Sequence, residues 1–220
     1  MKFGLRIIAT IVLLQLLAAF VQARTWRMPV YGCSDGEGTS VEITVIGAIG
    51  EKWRAMGAGN SPLKQPVDNE QPTFDGVGRW QQFQGGIISW HPSTGPHVVW
   101  GLIGKLWLQL GRERFGYPIT DELPARTKGG LYNHFRALHL PNHPESSIFW
   151  SRRTGAHAVY GAIRDLWASL DWDAGKLGFP TSDEHDVQVD GTNYRRSDFE
   201  CGYVLWRPRG RAKPYFCATY

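Results

Sequence analysis

The sequence predicts an α+β fold: a tandem repeat of about three helix-plus-β-hairpin units packed around a pseudo-symmetric core, as an arc or a nearly closed ring. Three recurring features predict it. The segments Gly47-Ala-Ile-Gly-Glu-Lys-Trp53, Gly101-Leu-Ile-Gly-Lys-Leu-Trp107 and Gly161-Ala-Ile-Arg-Asp-Leu-Trp167 place tryptophans 54 and then 60 residues apart. Each is followed by a turn, Leu63-Lys-Gln-Pro66, Phe115-Gly-Tyr-Pro118 or Leu177-Gly-Phe-Pro180, and then by Val67-Asp-Asn-Glu70, Ile119-Thr-Asp-Glu122 or Thr181-Ser-Asp-Glu184. Each copy closes on a further tryptophan: Trp90, Trp150 and Trp206. A fixed period of this size marks a repeat architecture.

The elements follow in order. Ile49, Trp53 and Met56 recur at i, i+4 and i+7, one face of a helix, with Lys52 where the later copies have leucine. Ile103, Leu106, Trp107 and Leu110 form an unbroken stripe that Ile163, Leu166, Trp167 and Leu170 repeat. Thr94-Gly-Pro-His97 reads as the start of the second helix, with Pro96 in its first turn and Thr94 or Gly95 as its cap. In the turns, glycine supplies a backbone angle closed to other residues and proline sets the exit direction, so Lys64 in the glycine position marks the first turn as different. Phe83 to Trp90 and Phe199 to Trp206 align without gaps and read as hairpins. The second copy carries an eight-residue insertion between Phe135 and Trp150, a loop with Pro141, Asn142 and Pro144. A unit of roughly 55 residues cannot bury both faces alone, so neighbours must stack.

Lys2 and Arg6 precede an apolar run from Ile7 to Val21 that ends in Val21-Gln22-Ala23, the pattern of a secretory signal peptide over residues 1–23. An irregular segment (24–39), repeats at about 40–92, 93–152 and 153–206, and a tail (207–220) complete the expected organisation. Loss of Lys2 and Arg6 lowers the formal charge from +4 to +2, and there is no run of five like charges, so no nucleic-acid footprint is present. No second stretch reaches membrane-spanning length, so no stable membrane insertion is expected after cleavage. An exported chain permits disulfides, and Cys33, Cys201 and Cys217 leave three pairings open.

These residues closely resemble the LGFP repeat, named for the tetrapeptide present here as Leu177-Gly-Phe-Pro180. The resemblance includes Thr154-Gly-Ala-His157, the Gly161-Ala-Ile163 helix start and the hairpin ending in Trp206, and covers about residues 40–206. It implies an exported, wall-associated bacterial protein whose repeats hold it to cell-wall glycan. A binding module is therefore expected rather than a catalyst. Lys64-Gln65 in the first repeat and Tyr117 in the second depart from the family pattern.

The candidate ligand-binding residues are Trp90, Trp150, Trp206, His97, His157, Glu122 and Glu184, lining grooves between units. Aromatic faces suit the apolar faces of sugar rings, and carboxylates accept hydroxyl hydrogen bonds. Each has a structural alternative: the turn acids, with Glu70 and the neighbouring Asp68, Asp121 and Asp183, as caps of backbone amides, and the closing tryptophans as packing wedges. Trp53, Trp107 and Trp167 read as core, and Trp80 and Trp172, beside Gly/Asp turns, as candidates for exposure. His134, His139 and His143 with Glu145 match neither HExxH nor a finger and read as a solvated loop. No GxSxG and no protease-like cysteine context is present, so neither catalysis, a cofactor nor a metal is expected. The expected partner is a cell-wall or cell-surface polysaccharide. The alternatives are a secreted protein-interaction or effector protein binding a protein partner, and a cell-wall hydrolase.

Overall fold

The computed structural model describes residues 28–29 and 42–218; the apolar leader, Trp26, Cys33 and the last two residues lie outside these. Strand β1 (Met28–Pro29) pairs antiparallel with β2 (Glu42–Ile43), so part of the segment expected to be irregular forms a short ladder. Helix α1 (Gly47–Ala55) and a 3-10 turn at Ala58–Asn60 lead into an antiparallel meander: β3 (Gln71–Pro72), β4 (Arg79–Phe83), β5 (Gly86–His91) and β6 (Gly95–Trp100). The second unit repeats this with α2 (Gly101–Gln109), a 3-10 turn at Arg112–Arg114, β7 (Tyr117–Pro118), β8 (Leu123–Pro124), β9 (Gly130–Arg136), β10 (Glu145–Ser151) and β11 (Gly155–Tyr160). The third has α3 (Gly161–Ser169), a 3-10 turn at Trp172–Ala174, β12 (His185–Val189), β13 (Thr192–Phe199), β14 (Gly202–Trp206) and β15 (Lys213–Phe216). The chain is thus an α+β mixture with three helices and three larger antiparallel sheets among the described residues.

The expected hairpins are β4–β5, β9–β10 and β13–β14, and the eight-residue insertion is the connection 137–144. Each hairpin is extended by further strands, and here one sequence expectation is corrected. Gly95, Pro96 and His97 belong to β6, with Pro96 opposite Trp90, and not to the first turn of α2. Strand β6 is the sheet edge, where a missing N–H costs no ladder bond. The helix starts at Gly101 after an extended Trp100 that makes no side-chain cap.

The core is built by period-two alternation in strands whose two faces are both covered. Ile88 and Val98 face α1, joining Ile49, Trp53, Leu63 and Phe83. Their neighbours Ile87 and Val99 point the other way and join Ile103 and Trp107 of α2, together with Phe135, Ile148 and Ala158 of the next sheet. Phe149 and Val159, again one residue on, pack on Ile163 and Trp167 of α3 with Leu177, Phe199 and Val204. Trp107 and Trp167 are fully buried. Truncating either to alanine would cost about 3–5 kcal/mol, a large share of a typical domain's stability.

The turn tetrapeptides join the units. The Trp53 indole donates to the Lys64 carbonyl at 2.9 Å and the Trp107 indole to the Gly116 carbonyl at 3.0 Å. Lys64 adopts φ +58° where Gly178 has +73°, so the first turn keeps the left-handed geometry despite its lysine. The third residue of the tetrapeptide plugs the preceding unit. Buried Phe179 lies over Gly130, where an added Cβ would stand 2.2 Å from its ring, and buried Tyr117 occupies the matching place over Gly78. The Tyr117 hydroxyl donates to the Asp75 carboxylate at 2.8 Å, and Thr73 donates to the same carboxylate at 2.7 Å. Burial would raise Asp75, but these bonds and the Val77 and Gly78 amides hold it down at about 2.

Gly130→Ala should destabilise the protein by about 1–3 kcal/mol through overpacking alone, since Gly130 has no special backbone angle. Lys64→Gly should be neutral to stabilising by up to about 1 kcal/mol, because relief of a left-handed lysine is partly offset by unfolded-state entropy. Thermal denaturation of both variants checks the pair.

Candidate functional site

Each unit holds the strand entering its helix by one side-chain ligature from the segment just after the turn tetrapeptide. Asn69, Asp121 and Asp183 accept the backbone N–H of Thr44, Val98 and Ala158 at 2.8, 3.0 and 2.8 Å. One residue earlier, Asp68, Thr120 and Ser182 accept the amides of Gln82, His134 and Asp198. The buried amides of Gln81 and Asn133 complete the tie, each donating to two carbonyls from the entering segment and the turn.

His97 and His157 belong to this ligature. Their Nε2 atoms meet the Thr94 and Thr154 carbonyls at 3.0 and 2.9 Å, and their Nδ1 atoms face Asp121 and Asp183 at 3.4 and 3.5 Å. Lys52, the polar interruption of the first helix stripe, pairs with Asp121 and so links the first helix to the second turn. Burial would raise Asp121, but His97, Lys52 and the Val98 amide hold it well below the usual carboxylate range.

The glutamates that follow these aspartates face elsewhere. Glu70, Glu122 and Glu184 are all half-buried, and burial raises each of them. Arg79 approaches Glu70 at 3.7 Å and Arg195 meets Glu184 at 2.8 Å, partly offsetting that shift. Arg79 stands opposite Trp90 and Arg195 opposite Trp206, whereas the second unit has Leu131 opposite Trp150. Three repeat-equivalent clusters result: Glu70–Arg79–Trp90, Glu122–Leu131–Trp150 and Glu184–Arg195–Trp206.

The clusters differ in the residue that caps the helix. In the second and third units Trp100 and Tyr160 occupy this place. The Trp100 side chain opposes the upward shift of Glu122, and the Tyr160 hydroxyl accepts from Arg195 at 3.1 Å. In the first unit the cap is Ile46, and a cavity of about 460 Å³ opens between the α1 N-terminus, Glu70, Val77, Arg79 and Trp90. Trp150 packs partly against the second core and Trp206 against the third.

The remaining candidates are dispersed. His134 lies on β9, mostly buried, with Nδ1 2.7 Å from the Ser147 hydroxyl; burial first, and then Arg164, lower its pKa to about 4. His139 sits edge-on to Phe74 at 5.1 Å, and His143 is in the 137–144 connection. Among the described residues, no three His, Cys, Asp or Glu side chains converge as a metal site. Glu145 takes Arg136 at 2.6 Å and Arg164 at 2.8 Å. Trp80 is half-buried under Arg112, and Trp172 stacks on Phe149, so neither is a free surface indole. Cys201 and Cys217 are free thiols on adjacent backbone, the Cys217 N–H donating to the Cys201 carbonyl at 3.2 Å.

Sequence reasoning overlooked two sets of residues. Arg79 and Arg195 share a signal, since each stands eleven residues before a closing tryptophan. Glu113 and Asp173 are buried acids six residues after the helix tryptophans. Each reaches back to the preceding unit, Glu113 to the Ser89 hydroxyl at 2.9 Å and Asp173 to the Thr127 amide.

The His157–Asp183 pair has a defined pH window. The Asp183 carboxylate facing its Nδ1 raises His157, so its contribution is complete below the unfolded value of about 6.5 and is lost as pH rises through the raised folded value. Burial opposes ionisation of Asp183, but His157 and the Ala158 amide lower it. Its contribution is therefore present above an unfolded value of about 3.9 and is lost as pH falls through the lower folded value. Between pH 6 and 8 the melting temperature of the parent should fall relative to that of His157→Asn. Equal slopes in the two proteins would remove the pair from the account.

A comparison with curated proteins finds no relative that matches. A family model described as the LGFP repeat matches residues 64–114 and 115–175. Each matched segment starts in a turn tetrapeptide and runs through a sheet and the next helix to its 3-10 turn. The Tyr117 plug, the turn acids Glu70 and Asp121 and the helix tryptophans Trp107 and Trp167 fall within these segments, and the chain belongs to the LGFP repeat family.

Proposed function

We propose that this chain is an exported, non-catalytic module that binds cell-wall or cell-surface polysaccharide through several weak sites along one polymer. LGFP repeats are non-catalytic and occur in surface-associated proteins. Among the described residues no helix is long and apolar enough to cross a membrane. The observation that carries the reading is the first-unit cavity, which assembles a half-exposed indole, a carboxylate and a guanidinium in about 460 Å³. These three groups suit a sugar ring: Trp90 offers an aromatic face, Glu70 accepts hydroxyls and Arg79 donates to ring or hydroxyl oxygens.

The equivalent clusters around Trp150 with Glu122 and Trp206 with Glu184 supply further contacts, and His97 and His157 steady the turns that present these acids. Stacking of units in chain order spaces the sites along a polymer, and simultaneous engagement raises apparent affinity through effective concentration.

Affinity electrophoresis of the purified chain against wall polysaccharides tests this. Trp90→Ala should weaken binding about tenfold, a loss of about 1.4 kcal/mol, and lower the melting temperature because Trp90 packs partly against the first core. Glu70→Gln should weaken binding less and keep the parental melting profile. Unchanged binding in Trp90→Ala and in Trp150→Ala/Trp206→Ala would sink the proposed contacts. Binding that survives periodate oxidation of the target would identify a protein partner instead.

A further inference from the structure

The strongest asymmetry between the repeats lies at the junction of the second and third units. The turn Thr127–Gly129 and the turn that follows β10 stand side by side, because Gly130 pairs with Ser151. Between them and the third unit's Phe179 and Glu200 lies a cleft of about 380 Å³, within the size range of small-ligand sites. Lys128, Arg152 and Arg153 all line it, and all three are exposed.

One of these cations has a structural task. The Arg153 Nε donates to Glu200 at 2.8 Å, and the second oxygen of Glu200 accepts the Phe179 amide at 3.1 Å. Lys128 and Arg152 make no ion pair among the described residues. The cleft therefore holds two uncompensated positive charges above an apolar floor of buried Phe179.

The first junction shows what the same geometry looks like without a ligand task. The positions of Lys128, Arg152 and Arg153 are there Gly76, Pro92 and Ser93. Tyr117 replaces Phe179, and its hydroxyl meets the Asp75 carboxylate, which fills the space with negative charge. Two junctions built on one plan thus differ by three added cations, and the carboxylate of Asp75 is exchanged for that of Glu200, which Arg153 already pairs. Packing does not require this difference, since neither Lys128 nor Arg152 holds another residue in place.

We propose that this junction is a separate site for an anionic stretch of polysaccharide, whose charge is carried by carboxylates or phosphodiesters. The guanidinium fork of Arg152 and the ammonium of Lys128 suit either group. The inference rests on the glycan-binding reading and assigns a charge class to part of the polymer.

The test uses the purified chain with three polymers: polygalacturonate, a glycerol-phosphate teichoic acid, and a neutral galactan. Lys128→Glu/Arg152→Glu should weaken binding of at least one acidic polymer about tenfold at low salt, and added salt should weaken the parent protein's binding in the same way. Arg209→Glu/Arg211→Glu, an equal charge change on exposed residues away from the cleft, should bind as the parent does. Loss with polygalacturonate alone, or with teichoic acid alone, identifies the charged group. Equal loss in both double variants, or none in the first, would overturn the site. Binding of the neutral galactan with no preference for either acidic polymer would overturn it while the glycan reading stands. Binding of none of the three polymers would overturn this inference, and silence on the full range of wall polysaccharides would remove the glycan reading with it.

Discussion

Everything in this fold depends on sheets that are apolar on both faces. Ile87 and Ile88, Val98 and Val99, Ile148 and Phe149, and Ala158 and Val159 are adjacent pairs whose members enter different cores. A strand with one wet face would alternate apolar and polar residues, whereas these strands run apolar through their centres. Helices α2 and α3 therefore each bury one stripe between two sheets, and the tryptophan at the centre of each stripe is wholly enclosed.

Such packing demands that the strand entering each helix be held at a fixed height, and a buried polar tie does this. The amides of Thr44, Val98 and Ala158 would otherwise lack a partner at the point where strand becomes helix. The two acids of each turn thereby divide their tasks. The aspartate, or Asn69 in the first unit, turns inward to the backbone, while the glutamates of the first and third units meet Arg79 and Arg195 opposite the closing tryptophans.

Much of this was legible in the sequence. The helices, hairpins and 137–144 insertion follow from apolar period, aligned aromatics and a length difference, all of which depend on local chemistry. The fourth strand of the meander was not legible, because Gly95-Pro96 reads equally as a helix start and as an edge strand. Lys64 hid a left-handed turn behind a residue that seldom adopts one. The partners of Glu70 and Glu184 depend on cross-strand register, which no spacing within one strand reveals. The charged cleft is likewise a product of two turns and a ring drawn from different units.

The double-sided cores also bear on how such a chain is inherited. The segments matched to the family begin at a turn and end after the following helix, so each carries a sheet together with the helix on its far face. The second segment cut at those points brings its own aromatic plug, Tyr117, for the neighbour before it and leaves one apolar sheet face exposed at the cut. Duplication in that phase lengthens the array without redesigning any interior, while a cut through a sheet would strand half of two cores.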